Sequence, residues 1–133
     1  MANEAVIVEL LGNQGDVVSY IVADGTGIEK GTLMYLSGDR TMSASSAEGQ
    51  FFVGIASAEK VANDGTTTLG VYTNGIFDLK DAGAGITLGN AVKLGGANLI
   101  AAADEAGAQD YAEFVGFAME AATGSEIIQV RVK

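Results

Sequence analysis

Neither histidine nor cysteine occurs among the 133 residues. That removes the usual general base near neutral pH, the commonest transition-metal ligand and the thiolate nucleophile. A hydrolase built from what remains needs a serine or threonine activated by lysine, or a pair of carboxylates. Ser19 falls in mid-strand, while Ser37, Ser43, Ser45, Ser46, Ser57 and Ser125 fall in turn-like sequence, and none sits in a G-x-S-x-G elbow. Asp78 and Asp81 in FDLKDAG, and Asp104 and Glu105 in ADEAG, offer the oxygen ligands that Ca²⁺ takes. No EF-hand spacing accompanies them, so they read as solvated turn carboxylates. GIEKGT at 27–32 lacks the Gly-Lys-Ser/Thr ending of a phosphate loop and any following helix. The expectation is a protein with no catalytic residue, no metal and no cofactor, and not an enzyme.

Binding chemistry is the remaining possibility. The nine aromatic residues include no tryptophan, whereas a glycan-binding module favours exposed planar rings. Most of these rings read as core; Tyr35 and Tyr72, on outward strand positions, are the candidates for a surface or a subunit contact. Seventeen acidic against seven basic residues give a formal charge of −10, which opposes phosphate backbones and excludes nucleic acid as a natural partner. No apolar run approaches the ~18 residues of a membrane-spanning helix, so no membrane partner is expected and the chain should be soluble. The opening MANEAVIVELLG carries Glu4 and no basic region, so export by a signal peptide is not expected.

The elements that must position these residues are short. AVIVELL (5–11), VVSYIVA (17–23), TLMYL (32–36), FFVGIA (51–56), TTTLGVYT (66–73), AVKL (91–94), EFVGFA (113–118) and EIIQVRV (126–132) are rich in β-branched and aromatic residues. They predict strands. Glycine-bearing turns at 12–15, 24–27, 63–65, 74–75 and 123–124 separate them. Residues 101–112, AAADEAGAQDYA, are alanine-rich but interrupted by Gly107 and lack large apolar anchors at helical spacing; they read as a loop with at most one helical turn.

GIEKGTLMYLSG from Gly27 and GITLGNAVKLGG from Gly85 say nearly the same thing twice. Over residues 27–44 and their partners 58 positions later, six residues are identical, against about one or two expected in a chain this rich in glycine and alanine. FVGIA at 52–56 recurs as FVGFA at 114–118, and GTTTLGV at 65–71 aligns with GSEIIQV at 124–130. Alternation points Leu69, Val71 and Thr73 inward with Ile128, Val130 and Val132. It does the same for Met34 and Leu36 with Val92 and Leu94, and turns Tyr35 and Lys93 outward. The fold class is therefore all-β: a compact barrel or sandwich built from two internally repeated β units, at about 27–80 and 85–133. They form a single domain over 14–133, preceded by an N-terminal arm or edge strand at 1–13. Gly31 and Gly89 should occupy equivalent turns.

QGDVVSYIVADGTGIEKGTLMYLSG (14–38), FFVGIA, TTTLGVYTNGIFDLK (66–80), AGAGITLGNAVKL (82–94) and FVGFAMEAATGSEIIQVRV (114–132) follow a running order that resembles the phage capsid cement, or decoration, proteins of the DUF2190 type. The likeness covers most of the chain; each motif is weak, and their order and spacing carry it. It implies a structural protein on the outer surface of the capsid of a bacteriophage virion, bound to the major capsid protein, commonly as a homotrimer, and reinforcing the shell. It implies no catalytic residues. Val6, Val8 and Leu10 in the N-terminal segment, together with Tyr35 and Tyr72, are the candidate capsid or subunit contacts, the segment acting as an arm that adds a strand to a partner's sheet or as an ordinary edge strand. The alternatives are a tail, fibre or baseplate protein, or a glycan- or small-ligand-binding β module.

Overall fold

The computed structural model describes residues 3–9, 17–103 and 113–132. They form eleven strands: β1 (Val6–Glu9), β2 (Val17–Ile21), β3 (Leu33–Gly38), β4 (Thr41–Ala44), β5 (Phe52–Ala56), β6 (Thr68–Tyr72), β7 (Gly75–Asp81), β8 (Ala91–Gly96), β9 (Leu99–Ala102), β10 (Phe114–Ala118) and β11 (Ile127–Val132). The protein is all-β, as the strand-length apolar runs require. Strands β4, β7 and β9 add to those read from the sequence. Leu10, Asp104, Glu105, Tyr111 and most of the 101–112 segment lie outside the described residues.

Strands β2-β4-β3-β5-β6 close a first barrel. The second runs β7-β11-β10-β8-β9 and closes through the parallel pairing of β7 with β9. The two repeat each other ladder by ladder. Met34 opposes Gly54 as Val92 opposes Gly116; Leu36 opposes Met42 as Leu94 opposes Ile100; Ala56 opposes Val71 as Ala118 opposes Val130. Even the parallel closure recurs, Ile21 with Thr41 and Lys80 with Leu99. Each barrel thus takes in a leading strand, β2 or β7, ahead of its glycine turn.

The shared F-V-G-φ-A strand has a steric cause. A side chain at Gly54 would meet the Tyr72 carbonyl and Val71, and one at Gly116 would meet the backbone of Arg131, the sister of Tyr72. Only glycine lets the two strands come so close. Gly31 and Gly89 do hold equivalent turns: their N–H groups donate to Ala56 O and Ala118 O at 2.9 and 3.0 Å, and both have positive φ, 92° and 84°.

Inward alternation fills the first barrel with Met34, Met42, Val53, Ala56, Leu69 and Val71, and the second with Phe77, Leu79, Val92, Leu94, Ile100, Val115, Val130 and Val132. The inward set read from Leu69, Val71, Ile128, Val130 and Val132 is buried; Thr73 lies past the end of β6 and is half buried. Leu36 departs from expectation. Its sister Leu94 is 0 % exposed, but Leu36 is 38 % exposed, because among the described residues the packing of one barrel on the other covers Leu94 and not Leu36.

What covers Leu94 is the first barrel itself. Leu33, Phe52 and Ile55 point outward from that barrel and bury against the second, joining its core cluster. Removing each such side chain from water is worth about 1.5–3 kcal/mol. At the β8–β9 turn Asn98, with φ 56°, enters the joint. Its Oδ1 accepts the Leu33 N–H at 2.9 Å and its N–H donates to Ser45 Oγ at 3.0 Å. Gly49 N–H also donates to Leu94 O at 3.0 Å, beside a bridge between Glu48 and Gly95.

Strand β1 lies antiparallel on β7, Ile7 opposite Phe77, and the Ala5 N–H donates to Gly31 O at 2.6 Å. A Cβ at Gly31 would stand 2.5 Å from Ala5 O, whereas one at Gly89 meets nothing within 4 Å. Gly89→Ala should therefore cost only the strain of a left-handed alanine, about 1–2 kcal/mol. Gly31→Ala should cost clearly more and loosen β1; urea unfolding of the two variants side by side checks this order.

Candidate functional site

Among the described residues no group of three or more acidic side chains is placed to hold a metal. The densest charged cluster surrounds Lys60, whose side chain is wholly buried. Its Nζ donates to Asp24 O at 2.7 Å and Val61 O at 3.2 Å, and meets Asp24 Oδ1 and Asp64 Oδ1 at 3.4 Å each. A buried ammonium needs this many acceptors. The cluster also accounts for its own carboxylates: Asp24 Oδ1 accepts the Gly65 N–H, and Asp64 takes the Val61 and Thr66 N–H groups. The contacts of Asp24 with Lys60 and Gly65 tie the 22–27 loop to the 60–66 loop, and those of Asp64 and Val61 brace the 60–66 loop itself. In the sister barrel Ala122 occupies the same place, bridging to Ile86 as Lys60 bridges to Ile28. Lys60 is a loop clamp, and no reacting group stands beside it.

The remaining features are surfaces. On β1, Val6 and Val8 are exposed on the strand that edges the second barrel, and Leu10 continues the segment outside the described residues. Val6 is flanked by Ile127, also exposed, across a shallow pocket of about 80 Å³ lined further by Asn3, Glu4, Asp78 and Lys80. No ring lines it. Asp78, one of the carboxylates weighed as a metal ligand, pairs with both β1 and β11 here. Asp81 is buried, its Oδ2 accepting the Gly85 N–H at 2.8 Å. Tyr35 and Tyr72 are half buried and pack against the shared core, Tyr72 with its ring 6.0 Å from that of Phe77. The structure brings Val6 and Val8 together on one strand and places the two tyrosines at the joint.

Sequence reasoning missed Asn98, Lys60 and Ile127. Asn98 aligns with Arg40 at a hairpin turn, and both have positive φ, so the sequence signals a turn and nothing about what the turn touches. Lys60 carried one usable signal, a lysine between loop aspartates at 24 and 64.

Two five-stranded barrels with exposed apolar patches make up the described residues. The phage cement protein family matches the chain over residues 12–133, and the chain belongs to that family. It is a structural protein of a bacteriophage virion, on the exterior of the capsid. Comparison with curated proteins returns no match.

The Thr66 N–H, then the Thr66 hydroxyl and the Lys60 ammonium, hold the Asp64 carboxyl below its ordinary 3.8. A carboxylate lowered on folding lends stability above its ordinary value and loses it as pH falls through the lowered one. The 60–66 loop should stay clamped at pH 5 and release only in acid below 3.8. Following the Asp64 carboxyl carbon by NMR should give a midpoint below 3.8, moving up toward it in Lys60→Met.

Proposed function

We propose that the protein binds the outer surface of an icosahedral phage head, contacts the major capsid protein, and stabilises the shell without enzymatic activity. Family membership is the observation that carries this reading. The physical design supports it: the outer wall of the first barrel is buried in the core cluster of the second, which joins them into one unit, and a strong net negative charge disfavours nucleic acid. Adhesion then falls to apolar patches. Val6 and Val8, with Ile127 flanking Val6, form the proposed shell contact, to which Leu10 is assigned from the sequence; Tyr35 and Tyr72 pack at the joint. As a homotrimer, the unit multiplies modest contacts by effective concentration, and contacts that span neighbouring shell subunits raise the barrier to their separation.

Sedimentation of undecorated heads with purified protein tests this. The wild type should pellet with heads at physiological salt and raise the temperature at which they rupture. Val6→Asp combined with Ile127→Asp should weaken binding by roughly tenfold or more, the loss of one or two buried apolar contacts. A wild type that stays in the supernatant contradicts the proposal.

A further inference from the structure

The 22–28 and 60–67 loops of the first barrel and the 81–86 and 122–126 loops of the second share one backbone frame. Ile28 and Lys60 exchange backbone hydrogen bonds at 2.9 and 2.7 Å, and Ile86 and Ala122 exchange theirs at 3.0 and 2.9 Å. The Val22 N–H donates to Thr67 O at 2.9 Å as the Asp81 N–H donates to Glu126 O at 2.9 Å. A Cβ at Gly27 would stand 3.5 Å from Lys60 O, and one at Gly85 would stand 3.3 Å from Ala122 O. Asn63 and Ser125, both with positive φ, face Gly25 and Gly83 in the same way. On this common frame the charge is inverted: Val22 and Lys60 stand in the first barrel where Asp81 and Ala122 stand in the second.

Asp81 is as buried as Val22, 1 % against 2 % exposed. Its Oδ2 accepts the Gly85 N–H at 2.8 Å, which turns the carboxylate into the 81–86 turn, and its Oδ1 accepts no hydrogen bond among the described residues. A buried carboxylate oxygen left in that state is costly and calls for an ion or a water. Lys80, next in sequence, lines the Val6 pocket on the outer face of β7, and Ala122 brings no ammonium. What stands within electrostatic reach is a second carboxylate. Glu126 Oε1 accepts the Thr123 N–H at 2.8 Å and the Thr123 hydroxyl at 3.0 Å, much as Asp64 accepts the Val61 N–H. Those Thr123 bonds hold the Glu126 carboxyl below its ordinary 4.5 against desolvation and the negative charge of Asp81.

The geometry points to a calcium site at this end of the second barrel, in which Asp81 Oδ1, the Glu126 carboxylate and backbone carbonyls of the 81–86 and 122–126 loops hold the ion. The bound ion does for the second barrel what the Lys60 ammonium does for the first: it ties two loops together through carboxylates and carbonyl oxygens. The donor set is hard oxygen throughout, and two carboxylates balance a divalent charge. Loop carbonyls and water complete the six to eight ligands that Ca²⁺ accepts in irregular geometry, whereas Mg²⁺ demands a near-ideal octahedron. With two carboxylates the affinity falls in the weak class of calcium sites, a Kd of about 10⁻⁴–10⁻³ M. The site needs neither a capsid nor a second copy of the chain.

Thermal unfolding of the full chain, stripped with a chelator and then titrated with calcium chloride at constant ionic strength, tests the inference. Calcium at ten times Kd should raise the wild-type midpoint by about 3–6 °C, and magnesium at the same concentration should raise it less. Asp81→Asn should lose the response, and Ala122→Lys should lose it too, because its ammonium takes the place of the ion. Asp39→Asn, on the exposed β3–β4 turn, should respond like the wild type. Carboxyl-carbon NMR of the wild type reads the same site without any variant: calcium should move the signals of Asp81 and Glu126 and leave those of Asp39 and Asp64 in place. A wild type whose midpoint ignores calcium, an equal response to magnesium, an Asp81→Asn or Ala122→Lys variant that still responds, or shifts spread over the surface carboxylates overturn the inference.

Discussion

An apolar wall that faces outward from a closed barrel governs this structure. Strand alternation gives every ladder two faces, and five strands enclose too little space to hide both. In the first barrel the inward face fills the interior with Met34, Met42 and Val71, while Leu33, Phe52 and Ile55 are left pointing out. Burying that wall against the second barrel turns two repeats into one body. Asn98 then fixes how they meet, because its amide satisfies a backbone N–H that the apolar contact would otherwise strand away from water.

The same constraint explains why the halves have diverged where they have. Residues that build each ladder stay alike in kind: the strand-approach glycines Gly54 and Gly116, the turn glycines Gly31 and Gly89, and the inward Val71 and Val130. Residues that meet a neighbour differ. Asn98 enters the joint while Arg40 folds back on Tyr20; Lys60 clamps two loops where Ala122 brings no polar side chain. Gly31 is closed over by the chain at Ala5, and Gly89 is open.

Much of this was legible in the sequence for a physical reason. The repeat offset carries register, so aligned copies reveal which residues oppose each other and which face inward, as with Val71 and Val130. Composition set an expectation about chemistry, since a chain without histidine or cysteine has few routes to catalysis. What stayed hidden depends on contacts between distant segments. Leu36 and Leu94 are the same residue at the same register, and only the presence of a second barrel over one of them makes their exposures differ. Short strands such as β4 and β9 carry too few apolar residues to stand out from a loop. The exposed Ile127 looks like any strand residue until β1 is seen beside it.

The two barrels are one cooperative body because the outer wall of the first is buried in the core cluster of the second. Differential scanning calorimetry of the full chain tests it most directly. The account predicts a single transition whose calorimetric and van't Hoff enthalpies agree, moved to lower temperature as a whole by Leu33→Ala. Two resolved transitions, with Leu33→Ala displacing only the first barrel's, would contradict it.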